Sequence, residues 1–303
     1  MNHPSCRTFL AGGLSLLIFL AGAPISPAQA QAVPPAKASG AQAQTPAQQA
    51  FAEANAAYDK RENEKALAAY ERAIALEPNN PDFHLGRARA LARLARHTES
   101  VEECTTALRI KPDSAIALRD RGHYYINLHR VREAIPDLER AEQLEKKDRE
   151  IYYHLGLAYY IQRDFRHAVP AWQSCLALAS KDDDVVSCSA WLYPSLVRAG
   201  GHEAEAKKVL ERITPEMKPK DNTAYFDRLM LFKGAISEED AAKGMTDGVS
   251  IPTVSYSIGL WHLLAGRQDK AREYFEKAAS AEVKYAFGAV AATAELKQLP
   301  RVN

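Results

Sequence analysis

The chain has 303 residues, with 39 Lys and Arg against 38 Asp and Glu. This near balance gives no electrostatic support for binding nucleic acid or an anionic membrane surface, so we expect neither as a partner. The length suffices for a large core or for a long array of repeats.

Residues 1–30 predict an export signal. Arg7 and the free amine give a positive start, residues 14–20 form a short apolar centre, and Ala-Gln-Ala at 28–30 fits the small-x-small cleavage pattern. We expect cleavage before Gln31, a periplasmic location and no stable membrane span after cleavage. No Cys directly follows the apolar centre, and Cys6 precedes it, so we expect no lipid attachment. Residues 31–46 are rich in Ala, Gln and Pro and predict a disordered linker.

A period of 34 residues runs through residues 47–182. Small residues recur at one phase and larger ones at another: Ala66, Ser100, Ala134 and Ala168, then Tyr70, Cys104, Leu138 and Trp172. Such a period predicts four helical hairpins stacked into an all-α solenoid. Gly156 and Ala168 are expected where the two helices of one hairpin approach closely.

Beyond Ser180 the period slips. We predict a degenerate fifth repeat at 183–219, an irregular helical insertion at 220–251, and a sixth repeat with a capping helix at 252–298. Ser237 followed by Asp240 predicts a helix start within the insertion.

The repeat phases resemble the tetratricopeptide repeat. The matching positions are Gly122 and Gly156, Tyr125 and Tyr159, Ala134 and Ala168, and Ala141 and Cys175. Three positions depart from the pattern, at Ala54, Ser100 and Lys146. The resemblance implies a solenoid of antiparallel hairpins whose first helices line a concave surface.

Residues 185–298 resemble the lipoprotein NlpI group of periplasmic repeat proteins. The resemblance rests on Trp191-Leu192-Tyr193, the Leu-Phe-x-Gly-x-Ile-Ser-Glu run at 231–238, and Ala-Glu-Leu at 294–296. It implies an adaptor that docks cell-wall hydrolases and related envelope proteins, in some members as a homodimer. Membrane anchoring is not carried over, because the lipid-carrying Cys is missing.

At the phases expected to point inward, polar and aromatic side chains predict a peptide-binding groove. Arginines offer fork-shaped donors to carboxylates, and aromatic rings offer flat apolar contact, so the groove would suit a peptide with an acidic group. The predicted groove residues are Asn55, Tyr58, Arg89, Arg93, Arg119, His123, Tyr153 and Tyr160. The alternatives are an ordinary solvated face for Arg89 and Arg93, and a core position for Tyr160.

The cysteines leave two possibilities open. Cys175 and Cys188 lie at similar distances before and after the turn at 180–183, so a disulfide between them is one prediction. Two separately buried thiols are the other, because Cys is often a small core residue.

No nucleophile motif, phosphate-binding Gly loop or paired metal-ligand motif stands out in the sequence. His123 and His154 lie on the first helices of adjacent repeats, but two ligands fall short of a structural zinc site. We therefore expect no catalytic residue, no metal site and no cofactor. The predicted function is a non-enzymatic interaction scaffold of the cell envelope. The alternative is an assembly factor for secretion or polysaccharide export, and an enzyme is the disfavoured alternative of another class.

Overall fold

The computed structural model describes residues 44–300, which form fifteen helices and no strand. The predicted export signal and residues 31–43 of the predicted linker lie outside this range. The first ten helices are α1 (Pro46–Asp59), α2 (Asn63–Leu76), α3 (Pro81–Arg93), α4 (His97–Ile110), α5 (Ala115–Asn127), α6 (Val131–Leu144), α7 (Arg149–Ile161), α8 (Phe165–Ala177), α9 (Asp182–Ala199) and α10 (Glu203–Glu211). The last five are α11 (Thr223–Phe232), α12 (Glu238–Ala242), α13 (Ser250–Leu264), α14 (Gln268–Ala279) and α15 (Phe287–Leu296). The predicted all-α solenoid of helical hairpins is confirmed.

Side-chain caps begin the first helix of each of the first four hairpins. Thr45, Asn80, Ser114 and Asp148 each accept a hydrogen bond from a backbone N–H of the first helical turn. A cap of this kind stabilises a helix by about 1 kcal/mol, because it satisfies a donor that has no partner within the helix. The repeat therefore specifies where each hairpin starts as well as how it packs.

The turns inside these hairpins share an unusual backbone conformation. Arg61, Ala95, His129 and Arg163 are spaced 34 residues apart and have φ angles of 61°, 58°, 60° and 63°. This left-handed region costs a residue other than glycine roughly 1 kcal/mol. The two helices of each hairpin hold the turn in this conformation, so the backbone position from which each of these side chains extends is fixed.

Small residues allow the helices of a hairpin to approach closely, as the sequence predicts. A Cβ atom at Gly156 would lie 2.7 Å from the ring of Trp172, which is fully buried. Ala168 is also fully buried. Trp172 therefore fits only because residue 156 has no side chain.

The C-terminal third departs from regular stacking. α11 packs against α9 and α13, and Ser237 caps the start of α12, where its hydroxyl accepts a hydrogen bond from the backbone N–H of Asp240 at 3.0 Å. After the α13–α14 hairpin, α15 returns to contact α5 and α7 as well as α13 and α14. None of the helices within residues 44–300 is both long and apolar enough to cross a membrane.

Candidate peptide-binding surface

The chain's own last helix covers part of the surface formed by the first helices of the hairpins. The ring of Phe287, at the start of α15, lies 5.5 Å from the ring of His123 on α5 and 6.0 Å from that of His154 on α7. Just before α15, the side-chain amide of Asn127 donates to the carbonyl oxygen of Tyr285 at 3.1 Å. The inner surface of the third and fourth hairpins is therefore filled by residues 285–296.

A buried carboxylate anchors the other end of α15. Glu295 is 4% exposed and accepts hydrogen bonds from both terminal nitrogens of Arg198 and, at 3.0 Å, from Arg163. Arg198 also donates to the Tyr160 hydroxyl at 3.0 Å. Burying two charges costs several kcal/mol per ion, which close pairing and extra hydrogen bonds offset.

Tyr153 and Tyr160 do not line an open groove, contrary to the prediction. Their side chains are 8% and 1% exposed. The Tyr153 hydroxyl donates to that of Tyr225 on α11 at 3.3 Å, and the Tyr160 hydroxyl accepts from that of Tyr256 on α13 at 3.1 Å. The C-terminal helices cover these inward positions, and Tyr160 takes the core position that was the alternative.

Arg89 and Arg119 connect successive hairpins. Arg89 Nε donates to Asp120 at 2.8 Å, and Arg119 donates to Asp120 at 2.7 Å and to Asp148 at 2.6 Å. Asp120 is only 5% exposed, so it depends on these two cations for charge compensation. Arg119 thus uses all three guanidinium nitrogens within the protein, and Arg89 uses its Nε, so Arg89 is not part of a merely solvated face.

Asn55, Tyr58 and Arg93 lie on the part of the inner surface that α15 does not contact, which we call the N-terminal groove. The guanidinium carbon of Arg93 on α3 lies 3.3 Å from the centre of the Tyr58 ring on α1. The side-chain oxygen of Asn55 accepts from the Tyr70 hydroxyl at 2.7 Å, which leaves its NH2 group directed away from that bond. A stacked guanidinium, a flat ring and an amide donor therefore share one surface.

His123 and His154 meet, as their positions on adjacent first helices predict. Their rings stack with centres 4.4 Å apart, and His154 Nδ1 lies 2.8 Å from the Glu150 carbonyl oxygen, to which it donates. Burial lowers the pKa of His154 to about 3, and burial together with the nearby His154 lowers the pKa of His123 well below its ordinary value. Both rings are therefore neutral at neutral pH. Within residues 44–300 no group of three or more His, Cys, Asp or Glu side chains could hold a metal ion.

Comparison with known proteins supports the repeat assignment. The family model of the tetratricopeptide repeat matches residues 51–115 and 119–182. These residues form tetratricopeptide repeats. The resemblance of residues 185–298 to the NlpI group stays a prediction.

Individual similarities cover parts of longer proteins. The chain is 32% identical over 151 residues to the TPR repeat-containing thioredoxin TTL4 of Arabidopsis thaliana, covering 45% of this chain and 21% of that protein. It is 32% identical over 94 residues to Hsc70-interacting protein 1 of Drosophila melanogaster, covering 31% and 25% respectively. The chain thus spans only about a fifth to a quarter of these relatives' own length. Among solved structures, MamA from Desulfovibrio magneticus RS-1 is similar with a TM-score of 0.49 and 24% identity, covering 55% of this chain and 93% of that one.

Sequence reasoning missed Phe287 and Glu295. Both follow the last repeat, where no period indicates which side chains point toward the inner surface. Ala-Glu-Leu at 294–296 indicates only a resemblance to other proteins. A carboxylate within an otherwise apolar helix, with Ala289, Val290, Ala291 and Ala292 just before it, is the one local signal that a buried ion pair was required.

The structure joins Cys175 on α8 and Cys188 on α9 in a disulfide, with their Cα atoms 5.9 Å apart. Arg149 lies near both sulfur atoms, with Nη1 3.9 Å from each. Cys104 is a buried free thiol, and burial raises its pKa well above the ordinary value. The bridge fixes the junction between the regular repeats and the C-terminal helices.

Non-reducing peptide mapping of the protein recovered from an oxidising compartment should yield a peptide pair linked through Cys175 and Cys188. Reduction should lower the free energy of unfolding by about 3 kcal/mol, because a closed loop of this size restricts the unfolded chain. Cys104 should react with a thiol reagent only after unfolding. Two free thiols at 175 and 188 in the oxidised protein would contradict the bridge, and Cys104→Ala is the control that should leave the effect of reduction unchanged.

Proposed function

We propose that this protein is a non-enzymatic interaction scaffold that binds an acidic peptide segment of a partner in the N-terminal groove. One observation carries the proposal: α15 contacts the first helices of the third and fourth hairpins, α5 and α7, and the C-terminal segment reaches the second hairpin through Tyr285 against His97, at some distance in sequence from Asn55, Tyr58 and Arg93. The covered part of the inner surface indicates what kind of ligand such a surface accepts. It holds a segment of polypeptide through an aromatic ring and a hydrogen bond to a backbone carbonyl oxygen.

The chemistry of the N-terminal groove supports a carboxylate-bearing peptide. Arg93 is exposed; its Nη1 donates to the Tyr58 carbonyl oxygen, its remaining N–H groups suit a carboxylate, and the Asn55 amide suits a peptide carbonyl. Exposed contacts of this kind contribute up to about 1 kcal/mol each, so useful affinity needs several together. The Tyr58 ring holds the Arg93 guanidinium in place by stacking against it.

The cellular setting is part of the proposal. The export signal predicted at residues 1–30 and the NlpI resemblance of residues 185–298 lead us to propose a periplasmic adaptor for envelope proteins, cell-wall hydrolases in particular. A homodimer is included in this proposal. The relative named Hsc70-interacting protein supports protein binding in general terms.

Affinity capture from envelope extract tests the proposal. Arg93→Glu should reduce recovery of a specific partner about tenfold, because it places a like charge against the partner's carboxylate. Arg109→Glu, an exposed residue of α4 outside the groove, carries the same charge change and should have no effect. Asn55→Asp should weaken capture without removing the Arg93–Tyr58 stack.

The identity of the captured proteins separates the alternatives. Recovery of wall hydrolases that depends on Arg93 would support the adaptor, and recovery of secretion or polysaccharide-export components would favour an assembly factor. Capture unaffected by both groove substitutions would contradict the groove. Hydrolysis of wall material by the purified protein alone would favour an enzyme.

A further inference from the structure

A second cleft lies outside the N-terminal groove, where α15 meets the turns of the third and fourth hairpins. Its volume is about 440 Å3. Three buried apolar side chains contribute to its lining: Val131, Ile161 and Val290. Its polar lining is mainly basic, and we call it the basic cleft: His129, Arg130, Arg132, Arg163 and Lys297.

The positive charge of the basic cleft is only partly neutralised by nearby carboxylates. Glu133 is the single acidic side chain among its lining residues, and it pairs with Arg130. Four Lys and Arg against one Glu leave a surplus of three positive charges, whereas the whole chain has a formal net charge of +1. Within residues 44–300, Arg132 and Lys297 form no ion pair.

Arg163 adds to this surplus although it contacts a carboxylate. Its partner Glu295 already accepts two hydrogen bonds from Arg198, so one carboxylate faces two guanidinium groups. The exposed Arg163 therefore retains donors and positive charge for a further anion.

The sides of the basic cleft are held in place. His129 and Arg163 occupy the left-handed turn positions, with φ angles of 60° and 63°. His129 Nε2 lies 3.1 Å from the Lys284 carbonyl oxygen, and Arg163 lies 3.0 Å from Glu295, so each turn is tied to the C-terminal segment. A preorganised site loses less entropy on binding than a mobile one.

We propose that the basic cleft binds an acidic peptide segment of a protein partner. Aliphatic atoms of the peptide would contact the small exposed edges of Val131, Ile161 and Val290, and flanking carboxylates would face the basic side chains. The apolar lining favours a peptide over a lone phosphate, and the concave shape favours it over the flat headgroup surface of a membrane. The inference goes beyond the proposed function, because it gives the scaffold a second binding surface beside the N-terminal groove.

Fluorescence anisotropy with a fluorescein-labelled Glu-Glu-Leu-Glu-Glu peptide tests the proposal. The peptide should bind the wild-type protein with an affinity that falls as salt rises, and the Gln-Gln-Leu-Gln-Gln peptide should not bind. The double variant Arg132→Glu with Lys297→Glu should bind the acidic peptide at least about tenfold more weakly. Lys146→Glu with Lys147→Glu makes the same charge change at exposed residues outside the cleft and should leave the affinity unchanged.

Each contrary result overturns the basic cleft. Equal loss in both double variants would mean that net charge alone attracts the peptide. Equal binding of the Gln peptide would remove the role of the carboxylates, and tighter binding to phosphatidylglycerol vesicles than to the peptide would replace the peptide by a membrane. The same comparison in an Arg93→Glu background removes the contribution of the N-terminal groove, so a loss caused there by Arg132→Glu with Lys297→Glu belongs to the basic cleft, and failure of one surface is distinguishable from failure of the other.

Discussion

Glu295→Gln should lower the free energy of unfolding by about 3 kcal/mol, since the substitution leaves a buried cation without its counter-charge. The carboxylate lies between Arg198 and Arg163, and the side chains of Glu295 and Arg198 are 5% and 8% exposed. Gln keeps an oxygen acceptor, so the loss belongs near the lower end of the range for broken buried pairs. Urea unfolding followed by circular dichroism measures the change, and hydrogen exchange of residues 284–296 should show α15 opening first.

Two further variants isolate the cause. Glu282→Gln changes an exposed carboxylate just before α15 and should leave the stability almost unchanged. The double variant Arg198→Met with Glu295→Leu removes both charges and should recover much of the stability, because no charge is then buried alone. A loss in the double variant as large as the loss in Glu295→Gln would show that packing, and not charge, governs the site.

The regular part of the fold could be predicted because its information is local. Each hairpin contacts mainly its neighbours, so one period predicts four units, their helices and their close contacts. Gly156 shows the principle: its place in the period predicted a close approach, and the Trp172 ring occupies that space.

The path of the C-terminal segment could not be predicted from the same information. The Arg163–Glu295 contact joins residues 132 positions apart, and no period links them. Positions within the 34-residue repeat predict which side chains point inward, but they do not show that α11, α13 and α15 cover Tyr153 and Tyr160. An inward position in the repeat therefore predicts exposure to a ligand, whereas Tyr153 and Tyr160 are buried.

On the polar inner surface, the prediction and the structure differ for another reason. Arg89, Arg93 and Arg119 all occupy positions that the repeat predicts to point inward. Among the described residues, however, only Arg93 has an exposed side chain without a carboxylate partner. Asp120 accounts for this difference. It lies on the hairpin after that of Arg89 and directly follows Arg119 in sequence, so it pairs with both of them. Partner choice between adjacent hairpins depends on side-chain reach, which residue phases do not encode.

Acidification from pH 6.5 to pH 5 should destabilise the protein by roughly 2 kcal/mol through His154 alone. Its pKa is lowered from 6.5 to about 3 by burial, so in this window the unfolded state binds a proton that the folded state does not. Stability contributed by this group therefore falls as pH falls below 6.5. His123 and His97, whose pKa values burial also lowers, act in the same direction. Thermal and urea unfolding across this range measure the slope.

Other titrating groups define the controls. The hydrogen bond to Glu103 raises the pKa of His84, so His84 stabilises the fold at low pH and loses that contribution as pH rises through its folded-state pKa. His154→Gln should flatten the pH dependence between 6.5 and 5, whereas His167→Gln, at an exposed position, should not. Because Phe287 packs on both His123 and His154, hydrogen exchange of residues 284–296 should increase at pH 5 in the wild-type protein and less in His154→Gln. If the dependence of stability on pH were unchanged in His154→Gln, other groups would cause the acid sensitivity, and it would not depend on the packing of α15 against His154.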